Sequence, residues 1–177
     1  MPPAFTPTLH NPYPENYNGE MIPVDEFEFL TPLIVRREID AVKMRGGKDD
    51  ADYIVGADYK VRFWIAGESA KRTITVPRGM LTDLASVPRF AQNIVARVGP
   101  HLEASIVHDF LYVAWQDLPG GEARRADWDF ADELFRVAMR ASGVARDQEV
   151  LIHASVRAFG WLVYKKKNDP PRYVKLP

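Results

Sequence analysis

Glu103-Ala104-Ser105-Ile106-Val107-His108-Asp109-Phe110-Leu111-Tyr112-Val113-Ala114-Trp115 is the stretch from which the fold can be read. Ile106, Phe110 and Val113 recur at helical spacing as one apolar stripe, and Val107, Leu111 and Ala114 form the next. A helix that is apolar on all sides is buried, so this segment predicts the central helix of a bundle. Within it stand His108 and Asp109. A buried carboxylate is costly unless something pairs with it. A His-Asp dipeptide where packing alone favours Leu and Ala is therefore the chain's strongest functional signal.

Helical period extends on both sides of this segment. A short helix is expected over 88–98, stopped by Gly99-Pro100, and the His108 helix over 101–116, broken by Leu118-Pro119-Gly120-Gly121. A third runs over 123–142 with Gly143 as its C-cap, and a fourth over 146–164, ending in Lys165-Lys166-Lys167. Cations suit a helix C-terminus, which accounts for the lysine run without invoking nucleic acid. Upstream, residues 25–80 read as strands. Phe27–Leu30 and Leu33–Arg36 are divided by Thr31-Pro32, and Tyr53–Val55 follows a polar loop over 44–50. Tyr59–Ile65 alternates as a half-buried strand does, and Arg72–Val76 is closed by Pro77 and Gly79. Residues 1–24 carry six prolines and no periodicity, the character of an extended arm that needs another surface to order it. The expected class is α+β: the arm, then one globular domain over 25–177. That domain has a small antiparallel β-sheet (β-rich 25–80) and a bundle of three to four helices (88–165).

Composition narrows the function classes. With 23 basic and 24 acidic residues the net charge is −1, so no global field draws the chain to nucleic acid or an anionic membrane. The lack of cysteine removes disulfide frameworks and thiolate metal sites. Neither a signal peptide nor a transmembrane run is visible, so the expectation is synthesis in the cytoplasm. Repeats are absent.

The loop between the second and third helices centres near Pro119-Gly120, with His108 about twelve residues before it and Asp132 about twelve after. In an antiparallel hairpin these positions come level. Asp132 also lies on the apolar stripe Trp128, Asp132, Phe135 and Met139 of its own helix. Loop symmetry and helical phase thus both set a carboxylate opposite the imidazole, an arrangement that fixes a histidine tautomer and suits a general base. Asp109 points about 100° away from His108 and is expected to hold a cation or to anchor the loop Gly79–Arg89, which carries Thr82, Asp83, Ser86 and Arg89. Ser86 suits an N-cap with Pro88 in the first turn. Arg157, one turn after His153, is the candidate to neutralise Asp109 or Asp132. His101 reads as a surface or first-turn residue and His153 as a partly buried packing histidine. The four tryptophans read as core and rim. Asp127, Asp129, Glu133, Arg136 and Arg140 read as the solvated face of the third helix.

Three blocks together resemble a phage and prophage family of unknown function. They are Val76–Gly79 with Thr82–Arg89, then Val107–Tyr112, then Ala131–Met139, with Val156–Gly160 trailing. Trp128 stands where that family usually has an arginine, and Arg124 or Arg125 are substitutes. The resemblance covers roughly residues 59–162 and implies a tailed-phage context without an activity. More loosely, His-Asp-x-x-Tyr followed by Ala-Asp-x-x-Phe is similar to the helix pair of secreted and parvoviral phospholipase A₂ domains. That likeness implies catalytic roles for His108 as base, Asp132 as orienter and Tyr112 within the network, with Ca²⁺ held by Asp109 and loop carbonyls; the hydrolase reading sets Asp83 with Asp109 as cation or loop anchors. The glycine-rich calcium loop of those enzymes has no counterpart here.

Two functions follow as expectations. One is a virion-associated tail, baseplate or assembly component whose Pro-rich arm docks on a neighbouring phage protein, with oligomerisation open. The other is a small envelope-directed hydrolase, acting on lipid or cell wall with His108 as general base.

Overall fold

The computed structural model describes residues 5–15, 21–37, 53–82, 99–167 and 172–176. Six strands and three α-helices form within them, in the expected α+β order. The strands are β1 (Val24–Phe29), β2 (Val35–Arg36), β3 (Tyr53–Val55), β4 (Tyr59–Ile65), β5 (Arg72–Val76) and β6 (Leu81–Thr82). The helices are α1 (Leu102–Val113), α2 (Arg125–Ala141) and α3 (Arg146–Tyr164), and a 3-10 turn over Ala114–Asp117 follows α1. The loop expected over 44–50 and the short helix expected over 88–98 lie outside the described residues.

The strands make two antiparallel three-stranded sheets instead of one, ordered β1-β4-β5 and β2-β3-β6. Strict alternation along β4 decides which face is inner. Tyr59, Val61, Phe63 and Ile65 are buried, while Lys60, Arg62 and Trp64 face outward. The inner face packs on the helices, with Phe63 against Phe130 at 5.4 Å between ring centroids. The second sheet was not foreseen because its pieces are too short to show a period. β6 has two residues and lies in a stretch read as loop.

Residues 172–176 close that second sheet. Met80 bridges to Tyr173, Leu81 N–H donates to the Arg172 carbonyl at 2.9 Å, and Val174 N–H donates to the Gly79 carbonyl at 2.9 Å. Ile54, Leu81, Val174 and Leu176 bury one another there. Gly79 has φ +90°, and a Cβ placed on it falls 2.2 Å from the Val174 carbonyl oxygen, so this crossing requires glycine.

α1 is buried from Ala104 to His108 and again at Phe110 and Leu111, as its doubled stripe implies. A side chain from the arm terminates it. Leu111 C=O and Trp115 N–H stand in the i, i+4 relation of a helical hydrogen bond, and the Tyr13 hydroxyl sits between them. It donates to the Leu111 carbonyl and accepts from Trp115 N–H at 3.2 Å. An inserted group of this kind breaks the ladder, and the chain tightens into the 3-10 turn. The surface that orders this part of the arm is thus the chain's own first helix, with Leu9 and Ile22 packed on the same core. β1 also begins within the span read as arm, at Val24.

α2 ends as its glycine implies. Gly143 has φ +81°, its N–H donates to the Arg140 carbonyl, and Val144 N–H donates to the Met139 carbonyl, the Schellman arrangement. None of the described helices is long and apolar enough to cross a membrane.

Gly79→Ala and Gly67→Ala separate backbone strain from steric clash. Both glycines have φ near +90°, but nothing lies within 4 Å of a Cβ at Gly67. Equilibrium unfolding should show a cost of about 1–2 kcal/mol for Gly67→Ala. Gly79→Ala should cost at least ~2 kcal/mol more, because residues 172–176 must move. Equal costs would contradict the seating of that segment.

Candidate functional site

α1 and α2 pack side by side, and their facing surfaces bring His108 and Asp132 together as loop symmetry and helical phase require. His108 Nε2 lies 2.9 Å from Asp132 Oδ1. A carboxylate only accepts hydrogen bonds, so Nε2 carries the proton and, in the neutral ring, Nδ1 holds the lone pair. Tyr112, one turn after His108, donates its hydroxyl to the same Oδ1 at 2.7 Å and accepts from Trp128 Nε1 at 3.0 Å. On the far side of the carboxylate, Arg157 Nη1 lies 3.5 Å from Asp132 Oδ2 and donates to Asp129 Oδ1 at 2.6 Å. Its guanidinium also stacks over Trp128 at 3.9 Å.

Burial determines what this cluster can do. His108 is 3% exposed and Asp132 is 0% exposed. The imidazole lies flat against Phe135, 4.5 Å between centroids, with the Tyr112 ring at 4.2 Å on another side. Burial, and next the Asp132 carboxylate, push the Tyr112 phenol far above its usual range, so it remains a donor. Three helices therefore meet on one carboxylate: α1 through His108 and Tyr112, α2 through Asp132 and Trp128, and α3 through Arg157.

Gly160 on α3 makes the junction possible. A Cβ there would fall 2.3 Å from the Tyr112 hydroxyl and 2.9 Å from Trp128 Nε1. In the sequence Gly160 stands only at the end of the trailing Val156–Gly160 block, with no role of its own. Its signal was the position itself, a glycine inside an otherwise helical run, which usually marks a close approach.

Asp109 turns away from this cluster, as its helical phase demands, and accepts a 2.6 Å hydrogen bond from the Thr82 hydroxyl. That contact ties α1 to the end of β6. Asp83, Ser86 and Arg89 lie outside the described residues. No group of three His, Cys, Asp or Glu side chains able to hold a metal forms among the described residues. Calcium takes six to eight oxygens, and the loop carbonyls and Asp83 expected to join Asp109 in holding it lie outside the described residues from position 83 onward.

Several surface assignments need correction. His101 takes the first-turn place, at the start of α1, and only its surface alternative fails: it is buried there, its carbonyl accepts from Ser105 N–H and from Ser105 Oγ, and burial lowers its pKa. Asp127 and Glu133 are also buried, not solvated. Each is held by an arginine three residues away, Asp127 by Arg124 Nε, just before α2, at 2.8 Å and Glu133 by Arg136 Nε, within α2, at 2.8 Å. Burial raises the Asp127 pKa against the opposing pull of Arg124. Arg140 crosses to Glu149 of α3, donating at 2.8 Å. Asp129, read as solvated, is the principal partner of Arg157. His153 is half-buried as expected, and burial lowers its pKa against the pull of Asp132. Arg125, one of the two proposed substitutes for a missing arginine, stacks over Trp128 at 4.3 Å.

The close approach of Gly160 to Tyr112 predicts coupled mutations. Tyr112→Phe should destabilise by about 1–3 kcal/mol, since Trp128 Nε1 and Asp132 lose their shared hydroxyl. Gly160→Ala should cost about 1–3 kcal/mol by overpacking. In the Tyr112→Phe background that second cost should fall by at least ~1 kcal/mol, because the nearest obstacle is gone. Strictly additive costs in urea unfolding would contradict the packing.

A family model described as "Protein of unknown function (DUF1353)" matches residues 60–156, taking in α1, α2 and their His108–Asp132 pair and stopping one residue before Arg157. No curated protein and no solved structure matches the chain. The matched span exceeds half of the sequence, and the chain belongs to this family of proteins of unknown function.

Proposed function

We propose that this is a tailed-phage or prophage protein, a virion-associated tail, baseplate or assembly component, in which the His108–Asp132 cluster is a structural lock. The observation that carries the non-catalytic reading is the closure of the cluster. The imidazole is 3% exposed and pressed on Phe135, while both oxygens of a fully buried Asp132 face donors from the chain itself. A general base must reach its proton within hydrogen-bond distance or through one water, and this ring is packed as a core residue is packed. Every polar member instead joins two helices, which is the work of a buried network that specifies one arrangement of a bundle. The phage context rests on the resemblance of the Thr82–Arg89, Val107–Tyr112 and Ala131–Met139 blocks.

The arm acquires a modified role in this reading. Tyr13 fixes its middle on α1, so docking on a neighbouring phage protein falls to the stretch before Tyr13.

One observation favours the alternative, an envelope-directed hydrolase. Asp132 holds the Nε2 proton and so directs the basic lone pair to Nδ1, the polarity a His–Asp dyad needs. His108→Ala distinguishes the two. The lock predicts a loss of about 2–5 kcal/mol, from a cavity beside Phe135 and a buried carboxylate missing a partner. At this size that lowers the melting temperature by roughly 5–15 °C. It also predicts no hydrolysis of phospholipid or peptidoglycan by the unsubstituted protein. Measurable hydrolysis that disappears in His108→Ala, with melting nearly unchanged, would establish the hydrolase instead. The virion assignment is tested by mass spectrometry of purified particles, where the chain should co-purify with tail proteins.

A further inference from the structure

α3 presents an apolar face to solvent. Val150 is 58% exposed and Leu162 63% exposed, with exposed Ala154 and Ala158 between them and half-buried Leu151 and Trp161 along the same strip. A surface helix normally shows its polar side outward, and a continuous outward apolar strip marks an interaction site. The strip has an internal order that indicates its occupant. Read about its midpoint, level with Val156, it is a palindrome of size with opposite charges at its two ends. Val150 mirrors Leu162, Leu151 mirrors Trp161, and Ala154 mirrors Ala158. At its two ends exposed Asp147 mirrors exposed Lys165, and neither joins an ion pair among the described residues.

We propose that a second copy of this chain covers the strip, the two α3 helices packing antiparallel about a twofold axis at the level of Val156. An isologous interface needs a surface complementary to itself, which this palindrome supplies. Large apolar side chains meet at both ends, and the alanines at the centre let the helix axes approach to about 8 Å, the close end of the usual range. Each Asp147 lies beside the partner's Lys165. Antiparallel packing also sets each helix N-terminus beside the other's C-terminus, so the dipoles attract. The interface does not use His108 or Asp132, so it stands or falls apart from the lock.

Light scattering on the eluting full chain tests this, over about a hundredfold concentration range reaching ~1 mM, where even a millimolar-affinity pair is substantially assembled. The wild-type mass should rise to that of two copies. Ala158→Glu should stay at one copy throughout, with its helical circular dichroism and melting temperature close to wild type, since the site is exposed. Asp147→Lys and Lys165→Asp should each weaken the pair about tenfold, and the two together should restore it. A wild type that remains a single copy overturns the proposal, whichever other protein or segment then covers the face. So does a pair that survives Ala158→Glu, or single charge reversals that the double reversal does not rescue.

Discussion

Asp132 carries a carboxylate with no access to solvent, and the packing of the three helices follows from the need to satisfy it. A buried carboxylate left unpaired costs several kcal/mol. Here Oδ1 takes hydrogen bonds from His108 and Tyr112 of α1, and Oδ2 faces Arg157 of α3. Sliding α1 by one residue along α2 would remove both donors at once. Rotating α3 would take away Arg157 and bring a side chain in place of Gly160 against the Tyr112 hydroxyl. Apolar packing alone tolerates such shifts, because volume and patterning leave several arrangements close in energy. The polar cluster chooses among them.

Around this junction the remote parts of the chain are fastened to α1. Tyr13 ends the helix by inserting its hydroxyl between Leu111 and Trp115. Thr82 reaches Asp109 from the second sheet. Arg172 donates from Nε to Asp117 at 2.8 Å, where the 3-10 turn ends, and thereby carries residues 172–176 back to β6. Each tie joins segments far apart in sequence, so their contribution depends on the helices being set first.

What the sequence disclosed follows from the range of each signal. Helix bounds and the His108–Asp132 pairing were legible because they depend on local period and on one short connection. α3 begins and ends at the expected residues, and Gly143 caps α2 through a Schellman turn. Tyr13 was not legible, since its partner is 98 residues away and the arm around it has no period. The burial of Asp127 and Glu133 was missed for a different reason. Seen alone, α2 has a charged face, but in the fold Asp127 lies near Tyr13 of the arm and Tyr164 of α3, while the Arg136 that holds Glu133 also faces Glu149 of α3, and short-range arginines at Arg124 and Arg136 make that coverage affordable. The two-sheet division escaped because strands of two and three residues look like loop.

Since the lock is an assertion about solvent access at a single nitrogen, hydrogen exchange at the His108 ring tests it most directly. Nitrogen–proton correlation spectra of the imidazole should show the Nε2–H form. Its proton should persist as long as the most protected amides of α1 and α2, because it is released only when the bundle opens. A ring proton lost within seconds while those amides stay protected would mean that water reaches His108 in the folded state. That result would contradict the account and return the residue to chemistry.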